Sequence, residues 1–138
     1  MRVLFVYPNL DCQIGFNYGL AYISGLLKEH GHRTHLLNVN EKLDFPLDLD
    51  RIRREVEDFD PDLIGFSVVS PQYEAARRIA RSIRSCCSAP IVCGGIHPTM
   101  APEATLRDDC WDYICVGEGE QTFLELAEKL ENGEPVTD

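Results

Sequence analysis

Residues Pro90-Ile91-Val92-Cys93-Gly94-Gly95-Ile96-His97-Pro98 change character halfway through. Ile91, Val92 and Cys93 are a short apolar run, the mark of a strand buried on both faces. Gly94 and Gly95 then remove side chains where such a strand runs out toward solvent. In an open parallel sheet, ligands bind outside the carboxyl ends of the strands. A glycine pair there lets a ligand lie against bare backbone and permits positive φ without strain. The same pair also serves an ordinary tight turn, so the decision falls to its neighbours.

Working outward, an apolar run over 3–7 closed by Pro8-Asn9 predicts a first strand. Leu20, Ile23, Leu26 and Leu27 recur at helical spacing and predict a helix over 17–30, with Gly31 as its stop. Strands follow over 34–39, 63–69, 91–93 and 113–116. Helices are predicted over 51–59, from Ser70-Pro71 to about 85, over 101–106 and over 122–130. Ser70 reads as an N-cap with Pro71 at the first helical position. Five alternations of strand and helix without a long linker call for a parallel sheet covered on both faces. Right-handed crossovers restrict its topology. The expected architecture is an α/β, Rossmann-like, doubly wound five-stranded sheet in the flavodoxin-like order 2-1-3-4-5, one domain over residues 1–138. Its crevice is expected between the first and third strands, walled by the loops after Tyr7, Val69, Cys93 and Val116.

The chain has 138 residues, enough for one real core, and its formal net charge is -10. That balance argues against a partner recognised through its phosphate backbone. No apolar stretch approaches the roughly 18 residues of a membrane span. The opening apolar run is too short for a secretory signal and lacks a cleavage site, so a cytoplasmic location is expected. The six cysteines, at 12, 86, 87, 93, 110 and 115, show no C-x-x-C spacing. They are read as thiols without a metal, cluster or disulfide.

The four loops at the expected crevice hold most of the unusual residues. Asn9, Asp11, Gln13 and Gly15 follow the first strand, and Ser67, Ser70, Gln72 and Tyr73 lie at the third. Gly94, Gly95 and His97 follow the fourth, and Gly117, Glu118, Gly119 and Glu120 follow the fifth. Hydroxyls and glycines suit an extended, mostly uncharged ligand lying over backbone. No G-x-x-x-x-G-K-[ST] or G-x-G-x-x-G occurs, which argues against triphosphate and nicotinamide sites. Each residue also has a structural reading. Ser70 serves as a cap, His97 is held by loop hydrogen bonds, and Glu118 and Glu120 suit a helix start. No general acid and base pair, catalytic triad or metal-ligand cluster stands out.

At these residues the chain resembles the cobalamin-binding domain that precedes the barrel of radical S-adenosylmethionine proteins. The resemblance rests on Tyr18-Gly19-Leu20-Ala21-Tyr22-Ile23 before Gly31-His32, and on Gly65-Phe66-Ser67 with Ser70. It rests most specifically on Gly94-Gly95-Ile96-His97-Pro98-Thr99 and on Val116-Gly117-Glu118-Gly119-Glu120 before Thr122, and it covers residues 3 to about 133. It implies a cobalamin over the C-terminal edge of the sheet. The nucleotide tail would pass Ser67, Ser70, Gly94 and Gly95, and the corrin would lie near Gln13, Ile14, Gln72 and Tyr73. Backbone near Gly117 and Gly119 would meet polar groups of the tail. Asn9, Val69, Ile96, His97 and Glu118 complete the implied cofactor-binding set. No catalytic or metal-ligating residue is assigned.

Two departures qualify the resemblance. Cobalamin mutases carry D-x-H-x-x-G after the first strand, whose His binds cobalt. Here the loop reads Asp11-Cys12-Gln13-Ile14-Gly15-Phe16, with Gln13 in place of the His. The C-x-x-x-C-x-x-C motif of the barrel is also absent. The expectation is therefore an N-terminal part of a longer enzyme, without catalytic activity of its own. The intact protein would hold a [4Fe-4S] cluster and S-adenosylmethionine in a C-terminal barrel and catalyse methyl transfer or another radical reaction. Cobalamin and that barrel are the expected partners, with no nucleic acid and no membrane. The competing reading is a flavodoxin-like interaction or regulatory domain with a vestigial, empty pocket. A flavin or nucleotide-sugar enzyme lacks its phosphate loop, and a phospho-receiver lacks its Asp at the end of the third strand.

Overall fold

A computed structural model describes residues 1–137. Its five strands are β1 (Arg2–Pro8), β2 (Arg33–Val39), β3 (Leu63–Ser67), β4 (Ile91–Gly94) and β5 (Tyr113–Ile114). All pairings are parallel and the sheet order is β2-β1-β3-β4-β5. The expected topology is the one observed.

The helices are α1 (Tyr18–Glu29), α2 (Leu49–Phe59), α3 (Tyr73–Arg84), α4 (Ile96–Met100), α5 (Pro102–Leu106) and α6 (Glu120–Asn132). Side chains alternate across each strand, so one sheet feeds two cores. Leu4, Val6, Leu37, Ile64 and Phe66 face α2 and α3, where Ile52, Val56, Ile79 and Ile83 are fully buried. Val3, Phe5, Leu63 and Val92 face α1 and α6, packing on Leu20, Leu27, Phe123 and Leu124. At the N-terminal edge, the Arg2 backbone N–H donates to Asp62 at 2.7 Å, and its guanidinium reaches Asp60 at 2.8 Å. The hydrogen bond from Arg2 holds the Asp62 carboxyl below its ordinary pKa.

Local differences from the sequence reading have physical causes. The third strand pairs only to Ser67, because its neighbour β4 ends at Gly94; Val68 still donates its N–H to the Gly94 carbonyl and accepts that of His97. Ser70 is not an N-cap: it opens a single 3-10 turn, and neither that turn nor α3 has a side-chain cap. The Ser70 hydroxyl bonds to His97 instead. Residues 96–100, read as loop, form the short helix α4. Pro98 is tolerated there because the first turn of a helix needs no N–H partner inside the helix.

Candidate functional site

The parallel register lines up two rows on the face covered by α1 and α6. Phe5, Gly65 and Val92 stand side by side across β1, β3 and β4. Two residues nearer the C-terminal edge, Ser67 pairs with Gly94. Over these rows, between sheet, α1 and α6, lies a cavity of about 250 Å³. Phe5, Val92 and Phe123 close it toward the middle of the sheet, and Ile23 lines it beside Gly119. Asn17, Ser67, Gly94, Gly95 and residues 117–120 form its rim.

The glycines of this site divide by cause. Gly95 has φ +100°, and a Cβ there would stand 2.7 Å from the Val68 nitrogen, so local backbone demands glycine. Gly65 makes room for an aromatic ring, since its Cβ would lie 2.9 Å from two carbons of Phe123. Gly94 answers to neither demand. Its φ is not positive, and its Cβ would meet nothing closer than the Phe66 carbonyl at 3.5 Å. A Cβ would fit there in ordinary van der Waals contact, so the missing side chain at 94 leaves room at the cavity rim. That is a cradle a larger residue would fill.

Polar groups gather at the rim. Asn17 caps α1 through its Oδ1, which accepts from the Leu20 N–H at 3.0 Å. Its Nδ2 donates to the Ser67 hydroxyl at 3.1 Å, tying helix to sheet. Thr99 donates to the Gly95 carbonyl at 2.8 Å and accepts from the Gly117 N–H at 3.0 Å, tying α4 to the turn before α6. Burial pushes the Cys115 thiol up, so this wall residue is uncharged.

Beyond the rim, two further groups occupy the same edge of the sheet. His97 stacks on Tyr73 with ring centroids 3.7 Å apart, and its Nδ1 lies 3.1 Å from the Ser70 hydroxyl. The Tyr73 hydroxyl donates to Asp108 and accepts from Trp111 Nε1 at 3.1 Å. Burial, then the Asp108 hydrogen bond, pushes Tyr73 up to about 12. Burial lowers the pKa of His97, so both rings are held neutral. The second group is the loop after β1. Gln72 is buried and clamps this loop, accepting from the Leu10 N–H at 3.1 Å and donating to its carbonyl at 2.9 Å. Asn9 donates to the Gln13 carbonyl at 3.3 Å, and the Gln13 side chain accepts from Lys42 at 3.0 Å. Among the described residues, no cluster of His, Cys, Asp or Glu is arranged to hold a metal ion.

A B12-binding domain model matches residues 13–127 of the chain. The chain belongs to the B12-binding domain family. This B12-binding domain is 33% identical, over 96% of its length, to an uncharacterized methyltransferase of Pyrococcus horikoshii. It is 32% identical over its whole length to the anaerobic magnesium-protoporphyrin IX monomethyl ester cyclase of Rubrivivax gelatinosus. It spans only 30% and 26% of the lengths of these two relatives. It also superimposes on TsrM of Kitasatospora setae, a radical S-adenosylmethionine methyltransferase determined with cobalamin and a [4Fe-4S] cluster bound. The TM-score is 0.86 at 26% identity, covering 98% of this chain and 25% of TsrM. The fold is thus that of a cobalamin-binding domain related to radical S-adenosylmethionine methyltransferases.

Of the residues singled out from the sequence of the B12-binding domain, Ser67, Gly94, Gly95, Gly117, Glu118 and Gly119 line one cavity. Asn9, Gln13, Gln72, Ser70, Tyr73 and His97 lie outside it in the two groups described above, Val69 precedes the 3-10 turn, and Ile14 and Ile96 are exposed. The cavity itself differs from the expected crevice. It lies on one face of the sheet, centred on β3 under α1 and α6, and its inner wall residues read in the sequence as plain core. One signal was available for it: a glycine inside a strand, Gly65, marks a close approach by another group.

Proposed function

We propose that the domain holds cobalamin with its nucleotide tail in the α1–α6 cavity and its corrin on the loops at the C-terminal edge. Gly94 carries this reading, because it is a glycine that neither φ nor packing demands, at the mouth of an apolar cavity. The donor set suits the tail: Ser67, Asn17 and the main chain at 117–119 surround the rim, while the interior is apolar. Asn9, Gln13, Ile14, Val69, Ser70, Gln72, Tyr73, Ile96 and His97 form the edge on which the corrin would rest. With Gln13 in the position of the mutase histidine, and its amide bonded to Lys42, the first loop offers cobalt no imidazole. The bound cofactor is therefore expected in its base-off form.

When bound, cobalamin supplies methyl-group or radical chemistry at cobalt, and the protein supplies binding and orientation. The chain spans about a quarter to a third of its relatives, so the activity of the whole protein is part of the same proposal. The domain would serve a radical S-adenosylmethionine barrel in the same polypeptide, which would hold the [4Fe-4S] cluster and S-adenosylmethionine. Methyl transfer is the reaction proposed, after the two relatives named as methyltransferases, while the cyclase stands for another radical reaction.

The test is a titration with hydroxocobalamin, followed by desalting and an absorbance spectrum. Retained base-off corrin absorption is expected, and Gly94→Leu is expected to abolish it with the circular dichroism unchanged. Retention that is indifferent to Gly94→Leu defeats the cavity assignment. Absence of retention in both this domain and the longer protein defeats the cobalamin reading and favours a vestigial pocket.

A further inference from the structure

We infer that the α1–α6 cavity selects among corrinoids by the base at the end of the tail, taking a benzimidazole in preference to a purine such as adenine. The inference rests on the tail-binding reading above, and its observation is where the cavity keeps its polar atoms. The end toward the middle of the sheet is walled by Phe5, Val92 and Phe123, whose ring covers the Gly65 backbone. Main-chain groups along this stretch of β1, β3 and β4 belong to the parallel ladder that pairs Phe5 with Gly65 and Gly65 with Val92. The polar side chains of the cavity, Asn17, Ser67, Glu118 and Glu120, all belong to the rim. Asn17 and Ser67 already bond to one another. The Cys115 thiol belongs to the rim too, since its sulfur lies 3.5 Å from where a Cβ on Gly119 would stand.

A tail entering from the rim carries the outer edge of its terminal base deepest. In dimethylbenzimidazole that edge is carbon and methyl, which lose nothing on leaving water and gain contact with Phe5 and Phe123. In adenine it carries an exocyclic amine and ring nitrogens. Those groups would exchange water for a wall without donors or acceptors, and a buried polar group left without a partner weakens binding. An apolar pocket discriminates on such grounds by roughly tenfold to a hundredfold.

The experiment compares the binding of three corrinoids to the chain by spectral titration at one pH and ionic strength. The probes are hydroxocobalamin, its adenine-bearing analogue, and cobinamide, which has no nucleotide tail. The expected order is cobalamin tightest, with the adenine analogue about tenfold to a hundredfold weaker. Equal or tighter binding of the adenine analogue overturns the selectivity while leaving the tail-binding reading in place. Equal binding of cobinamide and cobalamin shows the tail outside the cavity, and both readings then fail. Binding of none of the three, by this chain and by the longer protein alike, defeats them together. Val92→Thr supplies an independent check, since it adds one hydroxyl to the deep wall at nearly constant volume. It is expected to narrow the ratio between the two bases at least about threefold, with the circular dichroism unchanged, and an unaltered ratio would overturn the assignment of the deep end to the base.

Discussion

The two faces of this sheet are built from the same five strands and do different work. Toward α2 and α3, Leu4, Val6, Ile64, Ile79 and Ile83 meet with no exposed surface. Toward α1 and α6, the rows at the same height contain Gly65, Ser67 and Gly94, and a cavity stands where side chains would meet. The closed face carries stability, because apolar burial scales with area removed from water. The open face gives up part of that burial and keeps a cavity. A chain of this size has enough stability to allow it, since one face holds a complete core.

The contrast can be broken most sharply by truncation. Ile79→Ala, on the closed face, is expected to lower unfolding free energy by about 2–5 kcal/mol. Ile23→Ala, in the partly buried wall of the cavity, is expected to lower it by less than half as much. Urea denaturation measures both, and equal losses would erase the distinction between the faces. The adjacent glycines sharpen it next. Gly95→Ala forces a side chain onto a left-handed backbone against Val68 and is expected to lose about 1–3 kcal/mol. Gly94→Ala is expected to stay within about 0.5 kcal/mol of the parent. Thermal denaturation ranks them, and a reversed order would mean that Gly94 is the structural residue.

Smaller effects belong to the edge. Tyr73→Phe leaves Asp108 and the Trp111 N–H each short of a partner, with an expected loss of about 1–2 kcal/mol in chemical denaturation. No loss would show that water replaces the hydroxyl fully. The smallest effect is in pH. Burial sets the His97 pKa below its ordinary value of about 6.5. The folded state thus prefers the neutral ring more than the unfolded chain does. The resulting stability is present above the unfolded value near pH 6.5, and it is lost as pH falls through the folded value. NMR titration of the imidazole is expected to give a midpoint below that of a free histidine, and His97→Gln is expected to flatten the dependence of stability on pH in that window. A midpoint at or above 6.5 would contradict the burial argument.

How much of this was legible depended on the range of the interactions involved. Strand and helix order follows from local periodicity, so the topology could be read from runs such as residues 3–7 and 91–93. Val68 and Val69 misled because both are β-branched and apolar, while strand pairing is decided by a neighbouring strand that ends at Gly94. Helix α4 was hidden by Pro98, which usually signals a break. The glycine pair was found, but the different duties of Gly94 and Gly95 were not, since they depend on how close Val68 comes. The cavity depends on which helix stands over which row. Phe5, Ile23, Val92 and Phe123 have the composition of core residues and become walls only in three dimensions.

The loop after β1 carries a last consequence, concerning heredity rather than stability. Its path is held by contacts to its own main chain. Gln72 grips both polar atoms of the Leu10 backbone, and Asn40 donates to the carbonyls of Asn9 at 2.8 Å and Cys12 at 3.3 Å. The shape of the loop is therefore encoded 31 and 62 positions away from the residues that display it. A lineage can rewrite position 13, installing or erasing an imidazole, without rewriting the instructions that fold the loop.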